Sequence, residues 1–97
     1  MKAAFKSYLK SNGYTTKTIN TRLIMIGIYL SWLARENQEV EAVRYNDLLL
    51  FMKHCQQTGR SQRTIQHYIG VVKLFYQHLI AAGSLAINPA ADIQIKG

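Results

Sequence analysis

A shift of 46 residues lays the first half of this chain on the second. Phe5 falls on Phe51, Gly13 on Gly59, Thr15 on Ser61, Lys17 on Arg63, Thr18 on Thr64, Ile19 on Ile65 and Leu33 on Leu79. Ile26 meets Val72, and Tyr29 meets Phe75. The repeated unit is a short helix, a glycine turn, a hydroxyl cap, a basic residue, Thr-Ile and a long helix. Amphipathic helices share periodicity by default, but a matched turn, cap and basic residue goes beyond periodicity. The duplication predicts an all-α fold: two helix pairs, in orthogonal-type packing, making one compact four-helix domain.

The second long stretch, Ser61 to Gly83, sets the pattern. Ser61 supplies an N-cap hydroxyl, and Gly83 suits the left-handed position past a helix end. Ile65, Ile69, Val72, Tyr76 and Leu79 recur at spacings of three and four, which makes one buried face. Arg63, His67 and Gly70 lie roughly opposite. The first long stretch is capped by Thr15 or Thr16 and runs to about Glu36. Its stripe is Ile19, Leu23, Ile26, Leu30 and Leu33, flanked by Tyr29 and Trp32. Gly27 in mid-helix costs about 1 kcal/mol relative to Ala, so close approach of another helix is expected there.

The short helices follow the same logic. From about Ala3 to Ser11, Phe5, Tyr8 and Leu9 share a face while Lys2, Lys6 and Lys10 stand on another. A third helix starts near Asn46, carries Asp47 in its first turn and ends at Thr58-Gly59. Leu48, Leu49, Phe51, Met52 and Cys55 make it apolar on more than one side, which predicts a central position. The connection from Asn37 to Tyr45 is polar, with Val40 and Val43 expected to dock it. Past Gly83, Asn88 and Pro89 are expected to open a last short turn. The domain is expected to span residues 1–91, with 92–97 as a tail or linker.

The 97 residues carry 12 Lys and Arg against 5 Asp and Glu, a formal charge of +7. Such an imbalance on one small domain favours a polyanionic partner, nucleic acid above all. Three of the five acids, Glu36, Glu39 and Glu41, cluster in one connection and mark the side expected to face away from it. Cys55 is the single cysteine, so no internal disulfide can form, and it reads as a small core residue. No apolar run reaches the roughly 18 residues that a bilayer span needs, and the N-terminus lacks a signal-peptide core. The cytoplasm is the expected compartment.

Catalytic chemistry finds no foothold. His54, His67 and His78 share no ligand spacing with one another or with Cys55, no glycine-rich phosphate loop is present, and no carboxylates are paired. Neither metal nor cofactor is expected. What remains is a basic, hydroxyl-rich, duplicated helix start. Free N–H groups and a positive dipole end suit a phosphate at such a position. Thr15, Thr16 and Lys17 mark one start; Arg60, Ser61 and Arg63 mark the other. One turn further in, Asn20, Thr21 and Ile24 on one helix and Gln66, His67 and Gly70 on the other are placed for a major groove. Ile24 and Leu74 are apolar at or near this outward face, and either pack on another helix or touch DNA.

These residues also carry a resemblance. G-Y-T-x-K-T-I at Gly13 to Ile19, D-L at Asp47-Leu48, G-x-S-x-R-T-I at Gly59 to Ile65, a long helix closing on Phe75-Tyr76 and Leu79, and Asn88-Pro89-Ala90 occur in the order seen in one family. Over essentially its whole length the chain resembles the N-terminal core-binding, or SAM-like, domain of tyrosine recombinases, the phage integrase family. The resemblance implies one half of a C-shaped clamp on a recombination half-site, with the second and fourth helices near the major groove. It implies DNA contacts for Lys17, Asn20, Thr21, Arg63, Gln66 and His67. It also implies that the first helix meets other protomers on paired sites, so that Phe5 and Tyr8 are not wholly core. The family's Arg/His/Arg set and nucleophilic tyrosine belong to a second, catalytic domain, expected in the full-length recombinase rather than within these 97 residues. Two departures stand out: Arg44 where relatives often place a hydroxyl cap, and His67 where a longer amide or basic residue is more familiar.

The expectation is therefore a non-catalytic DNA-binding module of a site-specific recombinase, monomeric alone. It would contact double-stranded DNA through Lys17, Asn20, Thr21, Arg60, Ser61, Arg63, Gln66 and His67. Two alternatives stand beside it: a helical module whose basic face meets an acidic protein, and a free-standing small DNA-binding regulator.

Overall fold

The four helices all stop by the same local device. In the computed structural model, which describes residues 2–93, they are α1 (Lys2–Ser11), α2 (Thr16–Arg35), α3 (Tyr45–Gln57) and α4 (Gln62–Ala81), with a 3-10 turn at Val40–Ala42. After α4, Gly83 takes φ +80°, its N–H reaches Ile80 O at 3.0 Å, and Ser84 N–H reaches Leu79 O at 2.9 Å. This crossed pair is a Schellman motif, which satisfies carbonyls that the helix leaves open. The same pair of bonds closes α1 at Gly13 and α3 at Gly59. At the end of α2 the left-handed residue is Asn37, with φ 54°, and Gln38 N–H bonds Leu33 O at 2.9 Å. Asparagine tolerates that conformation because its short polar side chain can bond locally.

The start of α3 needs another solution, since Arg44 has no acceptor to cap with. Asp47, three residues on, provides it. Its carboxylate accepts from Arg44 N–H at 2.9 Å and from Gln38 Nε2 at 2.9 Å, which ties the connection to the helix it introduces. This is the return half of a capping box, made without the hydroxyl half.

The expected stripes form the core. Ile65, Ile69, Val72, Tyr76 and Leu79 are all buried, as are Ile19, Ile26, Leu33, Tyr29 and Trp32, while Leu23 and Leu30 are half-buried against them. α4 is the central helix: it packs on α1, α2 and α3, and nine of its residues are buried. That corrects the central position expected of α3. Its buried face is Leu48, Phe51 and Cys55 alone, and Leu49 and Leu50 remain 41% and 56% exposed. α1 lies across α2, and a Cβ built on Gly27 would come within 2.8 Å of Lys2 Nζ. Phe5 is fully buried, edge-on to Phe75 at 5.3 Å, so it belongs wholly to the core; Tyr8 is half-buried. Leu74 packs against the core, whereas Ile24 is 67% exposed.

A hydroxyl chain links three elements through the core. Tyr76 donates to Val40 O at 3.0 Å and stands 2.7 Å from the Tyr29 hydroxyl. Burial holds both phenols well above their ordinary range, so both remain protonated donors. Beyond α4, Asn88 accepts from Ala90 N–H at 2.9 Å and donates to Lys73 O at 3.1 Å, which folds the Pro89 turn back on α4. Ile93, placed in the tail by the sequence reading, is buried at 3% exposure, and Lys73 Nζ donates to its carbonyl. Residues 94–97 of that tail lie outside the described residues.

His78 is buried where α4 meets α1, with its ring 5.0 Å from Tyr8 and 5.8 Å from Phe5. Burial lowers its pKa, because an imidazolium there would lose its hydration. The unfolded chain, with a histidine near 6.5, then binds more protons than the folded one as the solution is acidified. Stability is therefore full above about pH 6.5 and falls as pH drops below it. Urea midpoints measured from neutral to mildly acidic pH should decline for the parent chain and decline less for His78→Gln.

Candidate nucleic-acid interface

The two long helices begin in nearly identical ways. Thr15 has φ −70° and ψ 158°, Ser61 φ −70° and ψ 159°. Thr15 Oγ1 accepts from Thr18 N–H at 3.3 Å, and Ser61 Oγ accepts from Thr64 N–H at 3.2 Å. In each case the cap oxygen also touches the hydroxyl three residues on, at 3.0 and 3.1 Å. Neither first turn carries an acid. Lys17 and Arg63 stand there instead, exposed, where the macrodipole disfavours a cation. Helix stability does not account for that placement.

A second likeness is hidden in the repeat. Arg22 stacks its guanidinium over Tyr14, with Cζ 4.2 Å from the ring centre, and Arg60 does the same over Tyr68 at 4.9 Å. The 46-residue shift lays Tyr14 on Arg60 and Arg22 on Tyr68. Both copies thus keep one cation–π contact with its partners exchanged, each worth about 0.5–1 kcal/mol at an exposed site. In the first copy the cation is carried inside α2; in the second it precedes α4.

Between these helices runs an open groove of about 590 Å³. Lys17, Thr18, Thr21, Arg22 and Met25 of α2 form one wall. Gln66, His67, Gly70 and Val71 of α4 form the other, and no carboxylate contributes to either. A Cβ on Gly70 would meet nothing within 4 Å, so internal packing does not demand glycine there. Thr21 gives its hydroxyl hydrogen to Lys17 O at 3.1 Å, which leaves the oxygen only as an acceptor. Arg22 Nη1 and Gln66 Nε2 are buried and have no hydrogen-bond partner in the protein. An unmade bond of this kind costs about 1–3 kcal/mol.

The structure brings Lys17, Thr21, Gln66 and His67 together in this groove and sets the other sequence-derived candidates around it. At about 100° per residue, Arg63 lies on the same line of α4 as Gly70, at the groove's entrance. By the same count Asn20 is turned about 130° from the α2 wall, and Ile24 about 90°. Ile24 instead lines a shallower cleft with Lys2, Gly27 and Arg35. Arg60 and Ser61 stand outside the groove, one stacked on Tyr68 and the other capping α4. Arg22 is the charged groove residue that the sequence-derived candidates lack. The repeat hid it, since an alignment of Arg with Tyr scores as a mismatch while the contact is kept.

Elsewhere the chemistry is quiet. Burial raises the Cys55 thiol pKa, with nearby Arg60 opposing, which suits a core residue rather than a nucleophile. Among the described residues no three His, Cys, Asp or Glu side chains gather where they could hold a metal ion, and no helix is long and apolar enough to cross a membrane.

A family model described as the phage integrase N-terminal SAM-like domain matches residues 2–82, a span that holds all four helices and both capped starts. Neither the curated proteins nor the solved structures return a match. With the duplicated helix starts, the four-helix order and this span in agreement, the chain belongs to the family of phage integrase N-terminal SAM-like domains.

Proposed function

We propose that this domain grips double-stranded DNA at a recombination half-site, through the N-termini and outward faces of α2 and α4. Membership of the family implies a DNA-binding role in recombination, carried by the N-terminal rather than the catalytic domain. The observation that supports this surface is the groove between two matched helix starts. Both lack acids, both carry a cation that the helix dipole disfavours, and the groove walls hold Lys17, Arg22 and His67 with no carboxylate. Lys17, Thr21, Gln66 and His67 face the duplex from within it, and Arg60, Ser61 and Arg63 extend the contact along α4. Cutting and rejoining of strands falls to a separate catalytic domain, and other protomers meet this one on paired sites.

A module of this size touching about five phosphates binds with log K falling by roughly 4–5 per decade of salt. Titration of labelled short duplexes by the 97-residue chain at two salt concentrations measures that slope directly. A flat salt response, or no binding at low salt, would sink the reading in favour of a module for acidic proteins.

A further inference from the structure

We propose that Arg22 and Gln66 form a recessed seat for one backbone phosphate of the duplex, with Tyr14 as the shelf that holds Arg22 in place. The inference rests on the DNA-binding reading above and assigns a division of labour within that surface. Arg22 Nη1 and Gln66 Nε2 are both buried, both without a partner in the protein, and both belong to the walls of the same groove from opposite helices. A guanidinium has donors only, so whatever completes Arg22 must accept hydrogen bonds. No carboxylate lines the groove, and Lys17 and His67 share it, so the acceptor comes from outside and is anionic.

Shape decides which part of DNA that is. Both nitrogens are closed to solvent in the free domain, so each side-chain end must turn outward to meet its acceptor, and only a group that projects from its own molecule can meet them between the helices. Base edges lie on the floor of a major groove about 8.5 Å deep. Phosphates stand on the ridge. The seat therefore takes a phosphate, which positions the duplex and carries no sequence information. Base reading is left to other side chains of the surface. The stacking of Arg22 on Tyr14, 4.2 Å from Cζ to the ring centre, keeps a long side chain from wandering, so less freedom is lost on binding.

The test is fluorescence anisotropy of several short duplexes of unrelated sequence, titrated with the parent chain and variants between about 50 and 200 mM salt. Arg22→Gln should weaken binding about tenfold on every duplex and make the salt slope shallower by about one. Gln66→Leu should weaken binding on every duplex with the slope unchanged, because a neutral amide releases no counterion. Tyr14→Leu should reproduce part of the Arg22→Gln loss, and Tyr14→Phe none of it. Far-UV circular dichroism checks that each variant folds; should Arg22→Gln fail to fold, Gln66→Leu and the Tyr14 pair decide the matter. Parent-like binding by the folded Arg22 and Gln66 variants would overturn the seat and leave the DNA reading intact. A loss confined to particular sequences would overturn it too, by making these residues base readers. If the parent chain binds no duplex at any salt, the DNA reading fails first and the seat with it.

Discussion

Arg63→Glu is expected to abolish duplex binding at salt concentrations where the parent binds, with thermal stability unchanged or raised by no more than about 1 kcal/mol. Arg63 is exposed in the first turn of α4, in line with the groove, and packs into nothing buried. Reversing its sign removes a cation from the rim and sets an anion beside the phosphates. The same change puts a carboxylate at a helix N-terminus, where it gains about 0.3–1 kcal/mol from the dipole. Stability and binding should therefore move apart, and a thermal melt beside a duplex titration reads both. A chain that unfolds on this substitution would mean that Arg63 lies on the buried side. A folded chain that still binds would move the interface away from α4.

The largest expected loss of stability comes from Phe51→Ala, about 3–5 kcal/mol by urea unfolding. Phe51 is fully buried and is the ring that attaches α3 to the rest. It meets Tyr29 edge-on at 5.1 Å, Tyr68 edge-on at 6.2 Å and Trp32 tilted at 5.3 Å. Only Leu48 and Cys55 share the buried face of α3, so neighbours cannot close over the space that alanine leaves. Against a typical total of about 5–15 kcal/mol for a domain, that one ring decides whether the chain is folded at body temperature. Its repeat partner Phe5, fully buried against Phe75, should cost a similar amount. A loss below about 1 kcal/mol at Phe51 would contradict the packing described.

The fold was largely legible because its signals are local. A cap is a bond between a side chain and a backbone group three residues away, and a Schellman turn spans six residues. The residues that make them, Thr15, Ser61, Gly13, Gly59 and Gly83, are readable one window at a time. Asn37 is harder to read, because asparagine enters the left-handed region without being bound to it and equally suits any position of a polar connection. The return cap from Asp47 to Arg44 is half-visible in sequence: an acid in the first turn suits the helix dipole, whereas its hydrogen bond to the Arg44 N–H depends on the path of the preceding connection.

The candidate interface was legible in outline and not in detail. Charge, hydroxyl caps and the duplication single out both helix starts, and Lys17, Thr21, Gln66 and His67 line one groove. Asn20 and Arg22 show the limit. Both are polar residues on the same helix, two positions apart, and nothing local says which one turns toward α4. That choice depends on how α2 is rotated about its axis when its stripe meets the core, and on where Tyr14 lies to receive the guanidinium.

The four helices, the glycine stops of three of them, the apolar stripes, the twofold internal likeness and the excess of positive charge can all be read from the residues alone. Each of these is a matter of spacing within a few residues or of counting. Long-range packing settles that α4 rather than α3 is central, that Ile93 packs while Ile24 does not, and that the Arg–Tyr stack is kept with its partners exchanged. Burial is settled by residues distant in the chain competing for the same volume, and a stacked pair is a contact between positions rather than a residue at one. That is why Arg22, invisible in the repeat, lies in the wall of the groove that the repeat builds.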